Sequence, residues 1–144
     1  MPDPTPAEPG VTVPLADRLA IHELLALHGH LIDAGELEAL DRVLAADARD
    51  DVSALGGTVL IGPAACREAA LELGDGNPVA HHVTNIVLDA IDADTVAARS
   101  KGIGIMRDGR CGSVVYHDII RRQADGWRIA ERTVLPRKQP LVRQ

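Results

Sequence analysis

Two adjacent histidines, His81 and His82, sit inside the run Val79-Ala80-His81-His82-Val83-Thr84-Asn85-Ile86-Val87-Leu88. A run this rich in β-branched and apolar residues predicts a strand. Successive strand side chains point to opposite faces, so one imidazole turns inward and the other outward. His82, Thr84, Ile86 and Leu88 share one face; His81, Val83, Asn85 and Val87 share the other. An imidazole against an apolar interior needs a partner. Asp33, at the end of a helical pattern, is a carboxylate that could do chemistry of its own or with such an imidazole. A carboxylate orients an imidazole, fixes its tautomer and raises its basicity, and such a dyad can take a proton from a carbon next to a carbonyl. Read by itself, Asp33 is equally a capping residue, with Glu36 three positions on.

Two further side chains could join that chemistry. His28 falls on the apolar stripe of Ile21, Leu24, Leu25, Leu31 and Ile32, where it is either a buried neutral histidine or a second acid/base. Tyr116 is the only phenol and could hydrogen-bond a substrate oxygen. Arg132 reads as a salt-bridge residue, and Trp127 and Ile129 as core. His28, His81 and His82 do not read as a metal set, because the two strand histidines face opposite ways.

The elements that must hold these residues can be outlined from pattern. Met1 to Pro14 is rich in proline and reads as a flexible arm. Asp17 is an expected N-cap for a helix running from Leu19 to Ile32, and Gly35 an expected stop. Glu36 opens a second helix with Leu37, Leu40 and Leu44 on one face. Arg49 to Ala54 and Thr58 to Ile61 read as short strands. Gly62-Pro63 starts a third helix that ends at Gly74. From there the chain is β: the histidine strand, then Thr95 to Met106, Ser113 to Gln123 and Trp127 to Leu135, with Asp108-Gly109 and Asp125-Gly126 as turns. Helices first and an antiparallel meander after them predict an α+β fold.

Composition narrows the function classes. A chain of 144 residues with 46% hydrophobic residues is one domain with a real core. With one Trp, one Tyr and no Phe, that core is aliphatic. The net charge of −6 argues against nucleic acid or an anionic membrane surface as partner. Cys66 and Cys111 have neither framework nor metal-ligand spacing and read as free thiols of a cytoplasmic protein. The N-terminus lacks the basic and apolar run of a signal peptide, and no apolar run approaches the ~20 residues of a membrane span.

Taken together, Leu24-Leu25-Ala26-Leu27-His28, Asp33-Ala34-Gly35-Glu36-Leu37-Glu38-Ala39-Leu40, His81-His82-Val83-Thr84-Asn85, Tyr116-His117-Asp118, and Asp125-Gly126-Trp127-Arg128-Ile129 with Arg132 resemble the SnoaL-like branch of the nuclear transport factor 2-like superfamily. That branch includes relatives of scytalone dehydratase, bile-acid dehydratases, ketosteroid isomerase and polyketide cyclases. The resemblance spans roughly residues 15 to 138. It implies a curved, mostly antiparallel sheet wrapped around three N-terminal helices, cone-shaped with an internal pocket, followed by a tail over 139–144. In the dehydratases the pocket holds an Asp at the end of the first helix and a His on the first long strand; those positions match Asp33 and His82. A Tyr five residues before that Asp is replaced here by His28.

The resulting expectation is a cofactor-independent cyclase, dehydratase or isomerase of secondary metabolism, acting on a hydrophobic small molecule. Asp33 and His82 would be its acid/base pair, with His28 assisting and Tyr116, Thr84 and Ile32 lining the substrate. No metal or other cofactor is expected. The sheet's outer face, with Val83 and Val87, is expected to form a homodimer. The competing class is a non-catalytic binding or assembly module on the same fold. A linked pair in an open cavity favours the enzyme; a pocket filled by side chains favours the module.

Overall fold

The computed structural model describes residues 10–141. Residues 1–9 of the expected arm and 142–144 of the expected tail lie outside it. The chain forms helix α1 (Leu15–Ala34), a 3-10 turn (Leu37–Arg42), strands β1 (Leu44–Asp51) and β2 (Val59–Ile61), helix α2 (Gly62–Leu73), and four long strands: β3 (Ala80–Asp92), β4 (Thr95–Ile105), β5 (Cys111–Gln123) and β6 (Gly126–Pro136). The strands make one curved, unclosed sheet in the order β2-β1-β6-β5-β4-β3. Every pairing is antiparallel except β1 with β6. The fold is α+β, as the segregation of helices and strands predicts.

Helix α1 lies across the concave face and buries Ile21, Leu24, Leu25 and Leu31 against it. Those positions recur at the three- and four-residue spacing of one helical face. Ile120 and Ile129 of the sheet, with Leu40, Val43 and Leu44, complete the core, each of these five at most 2% exposed. Each such side chain stabilises the fold by roughly 1.5–3 kcal/mol. The core is aliphatic; buried Trp127 is its one aromatic exception.

Local differences from the expected outline have physical causes. Asp17 lies in the first turn of α1 rather than at its cap, which is Pro14. Its carboxylate instead accepts from Trp127 Nε1 at 3.1 Å and from both terminal nitrogens of Arg122, tying the start of α1 to the β5–β6 hairpin. The second helix is only a 3-10 turn, and β1 begins earlier than expected, at Leu44. The expected arm is not free of the core throughout: Val13 is buried, and Arg18 Nε donates to its carbonyl. Among the described residues, no helix is long and apolar enough to cross a membrane.

Strand β3 departs from simple alternation. Thr84 faces Lys101 of β4, and the next matched residue, Val87, faces Arg99. Asn85 and Ile86 together therefore oppose the single residue Ser100, which is a β-bulge. Asn85 takes the left-handed φ of 53°, a conformation asparagine tolerates better than most residues. The extra residue inverts the face on which side chains fall. Ile86, Leu88 and Ala90 point inward on one side of the bulge, and His81 and Val83 on the other.

Candidate functional site

The bulge corrects the expected site: His81, not His82, faces α1. His82 and Thr84 are exposed on the outer face, so neither lines the interior, and Val83 is turned inward rather than toward a dimer partner. His81 meets Asp33. Its backbone N–H donates to Asp33 Oδ2 at 2.8 Å, and its Nδ1 lies 2.6 Å from Asp33 Oδ1. A carboxylate accepts, so this contact places the proton of the neutral imidazole on Nδ1 and leaves Nε2 as the basic nitrogen.

The geometry of α1 makes that grip possible. Gly35 adopts the left-handed φ of 71°; the N–H groups of Gly35 and Glu36 return to the carbonyls of Ile32 and Leu31. This close ends the helix just past Asp33. Asp33 does not cap a following helix; its carboxylate spans to β3. Each side chain of the pair is about a quarter exposed, 24% for His81 and 25% for Asp33.

Deeper in, β6 and β5 supply a buried ion pair. Arg132 Nε and Nη2 donate to the two carboxylate oxygens of Asp118 at 2.8 and 2.9 Å. Asp118 and Arg132 are matched residues of the β5–β6 ladder, and Asp50 of β1 is matched to Arg132 on its other side. Arg132 faces inward because a second bulge, between Ile119 and Ile120 of the β5 register, inserts one extra residue in β6. Burial would pull the guanidinium's pKa down, but Asp118, with Tyr116 and Asp50 adding to it, more than offsets this and holds it above its ordinary value. The Arg132 guanidinium also lies 4.2 Å over the Tyr116 ring, within cation–π range.

Tyr116 and His28 fall in this same cluster. The Tyr116 ring lies over Gly102 of β4, so closely that a Cβ there would stand 2.7 Å from the Tyr116 hydroxyl. Among the described residues that hydroxyl has no hydrogen-bond partner. Burial raises its pKa, with the positive charge of Arg132 opposing. His28 Nδ1 is 3.5 Å from Arg132 Nη1. Burial first, then the charges of Arg132 and His81, hold the His28 pKa well below its ordinary 6.5. His28 is therefore a neutral imidazole at neutral pH. It is not poised to donate a proton as a cationic acid. Ile32 is half-buried and packs against the core beside Asp33.

This arrangement has a pH consequence with a definite sign. As pH falls below 6.5, an unfolded His28 takes up a proton while the native one resists until far lower. The unfolded state then binds more protons, and stability falls. We expect His28→Gln to flatten the decline in unfolding free energy between pH 7 and pH 5, measured by urea titration. Identical slopes in the two proteins would contradict the assignment.

Asp50 was not legible as part of this interior, whereas Cys66 reads as packing from its place in the third helix and is buried. Asp50 Oδ2 is 3.9 Å from the Cys66 thiol, and its Oδ1, like Ser100 Oγ, is buried with no partner among the described residues. Burial raises the Asp50 pKa against the pull of Arg132. Burial pushes the Cys66 thiol up to about 12, with Asp50 adding to it, so it is an inert packing group. A separate cavity of about 380 Å³ opens near the start of α1, between Val11, Asp17, Arg122 and Trp127. Arg122 there is shared between Asp17 and Asp94. The cavity lies away from the Asp33–His81 pair.

Residues 13–133 match the model of the SnoaL-like domain. An uncharacterized protein of Mycobacterium tuberculosis is 34% identical over 125 residues, covering 82% of this chain and 84% of that protein. A crystal structure of an NTF2-like protein with a cystatin-like fold from Novosphingobium aromaticivorans superposes with a TM-score of 0.70 at 28% identity, covering 85% of this chain and 82% of that one. A hexachlorocyclohexane dehydrochlorinase, LinA-type3 from Novosphingobium barchaimii, superposes with a TM-score of 0.73 at 21% identity, covering 88% and 91%. With its concave sheet, its crossing helix and a family match over nearly all of the described residues, this chain belongs to the SnoaL-like domain family.

Proposed function

We propose that the protein is a cofactor-independent enzyme of the cyclase, dehydratase or isomerase kind, in which His81, held by Asp33, removes a proton from a carbon acid. One observation carries this reading: a single carboxylate grips both the backbone N–H and the ring nitrogen of His81. That double contact fixes the tautomer and the ring direction, which a solvated histidine would not need. The electron pair left by the proton would move toward a neighbouring carbonyl or a leaving group. Tyr116 is the donor nearest in kind to the oxygen that would gather that charge.

The substrate in this reading is a neutral, largely apolar small molecule from secondary metabolism. The cationic charge at the site, on Arg132, is already committed to Asp118, so a carboxylate or phosphate would have to compete for it. A dehydrochlorinase shares the fold, and loss of a proton with a leaving group is one member of the proposed reaction class. The alternative, a binding or assembly module, draws on a different observation: Arg132 and Asp118 are sealed at 2% exposure, so the deep interior is filled by side chains.

The two readings separate with 5-nitrobenzisoxazole. A base removes its ring C–H proton, the electron pair forms a nitrile, and the N–O bond breaks to release a coloured cyanonitrophenolate. The enzyme should open this ring much faster than free imidazole at equal concentration, and Asp33→Asn should slow it. No acceleration over imidazole would favour the module.

The outer sheet face bears on assembly. Val87 is 46%, Ile103 39% and Leu135 37% exposed there, a spread of apolar surface that favours an interface. A homodimer is expected by light scattering at micromolar concentration, and Ile103→Glu should shift it toward monomer. A monomeric wild-type protein would refute this.

A further inference from the structure

Helix α1 comes against His81 through a residue without a side chain. Gly29 is buried in the middle of the helix, and a Cβ placed on it would stand 3.0 Å from the His81 carbonyl oxygen and 3.5 Å from the His81 Cβ. Gly29 does not have a positive φ, so its backbone conformation is open to any residue. In a helix interior, glycine is less favourable than alanine. The close approach to β3 is what the glycine permits.

Asp33 lies four residues further along, on the same helical face one turn on. Gly29 and Asp33 thus address the same strand residue, one by yielding space and the other by reaching across. An aspartate is short. Its carboxylate holds the His81 N–H at 2.8 Å and Nδ1 at 2.6 Å at once, which requires the helix to stand close to the start of β3.

We propose that Gly29 is a positioning residue: its missing side chain sets the helix–strand distance at which Asp33 can hold both nitrogens of His81. The inference rests on the reading of that pair as the base only for its effect on turnover; its structural part stands by itself. Alanine at this position would press on a backbone oxygen at 3.0 Å, a contact tighter than side chains normally make. The helix then moves outward by a few tenths of an ångström, while its own propensity improves. Stability and positioning are expected to move in opposite directions.

The test is Gly29→Ala, read three ways. Thermal unfolding should give a Tm equal to or above wild type. Long-range proton–nitrogen NMR should report the His81 ring as Nδ1–H in wild type, with a partial shift to the Nε2–H tautomer in the variant. Ring opening of 5-nitrobenzisoxazole should fall about tenfold in kcat with KM little changed, less than the ~10²-fold that a full ångström of misplacement can cost. Asp33→Glu alone should also lose the Nδ1–H tautomer, because the longer side chain has too little room. Combined with Gly29→Ala, it should recover part of the tautomer and part of the rate. A wild-type His81 tautomer in Gly29→Ala, or in Asp33→Glu alone, overturns the proposal. So does a fall in Tm with no rescue in the double variant, which would reveal a packing role only. If the NMR changes follow as expected but wild type does not open the probe, the positioning stands and the base reading fails.

Discussion

Asp33→Asn and His81→Ala are each expected to slow proton abstraction from 5-nitrobenzisoxazole by ~10²–10⁴, the usual worth of one positioned acid/base group. The asparagine keeps the shape and can still accept from the His81 backbone N–H. It removes the negative charge opposite Nδ1 and can present an amide N–H there instead, which favours the opposite tautomer. The base would then carry its proton on the nitrogen that must be free. His81→Ala removes the base itself. His82→Ala is the internal control: its side chain is on the outer face and its loss should leave the rate within about twofold, in keeping with the small effects of surface changes. Because the two residues of a dyad act as a unit, the double variant should be little slower than the worse single one. Circular dichroism must show each variant folded. Wild-type rates in both Asp33→Asn and His81→Ala would make the pair a structural tie between α1 and β3, and the base assignment wrong.

The largest effect on stability is expected at the buried ion pair. Arg132 and Asp118 make two parallel hydrogen bonds out of solvent. Removing one partner leaves the other charged and buried, which costs about 3–5 kcal/mol. Against a total of about 5–15 kcal/mol for a domain, Asp118→Ala should lower the urea midpoint sharply and can unfold the protein at moderate temperature. Arg132→Met should cost a similar amount, and it also removes the cation over Tyr116. Replacing both together, Arg132→Met with Asp118→Leu, should recover part of the loss, since neither member of the pair is left charged without the other; Asp50 still loses the pull of Arg132. If Asp118→Ala unfolds at the wild-type midpoint, Asp50 has taken over the guanidinium. Adding Asp50→Asn to that variant should then expose the full cost.

Much of the architecture was legible because it follows from local rules. The apolar stripe from Ile21 to Ile32, the stop at Gly35, the Pro63 start of α2 and the Asp-Gly turns each report on a few neighbouring residues. Asp33 was placed correctly at the end of α1, because helix length and the glycine close are local properties; its meeting with the first long strand was expected from the family resemblance. The pairing of Arg132 was likewise expected as a salt bridge, although not with which carboxylate. Asp17 shows the limit of the same rules: a good cap by type was drawn three residues into the helix, because Trp127 and Arg122 offered its carboxylate better partners from across the sheet.

The choice between His81 and His82 was of another kind. Alternation along a strand is valid only while each residue has one partner, and at Asn85 two residues of β3 stand opposite one of β4. Nothing in the local pattern of β3 announces that extra residue; it exists only through the pairing with β4. The bulge in β6 acts likewise, turning Arg132 inward and leaving Glu131 in solvent. The sequence by itself determined that an aspartate would close the first helix and that two histidines would open the first long strand; its resemblance to the SnoaL-like branch paired them. Tertiary pairing alone decided which histidine, because one unpaired residue reverses every side chain beyond it.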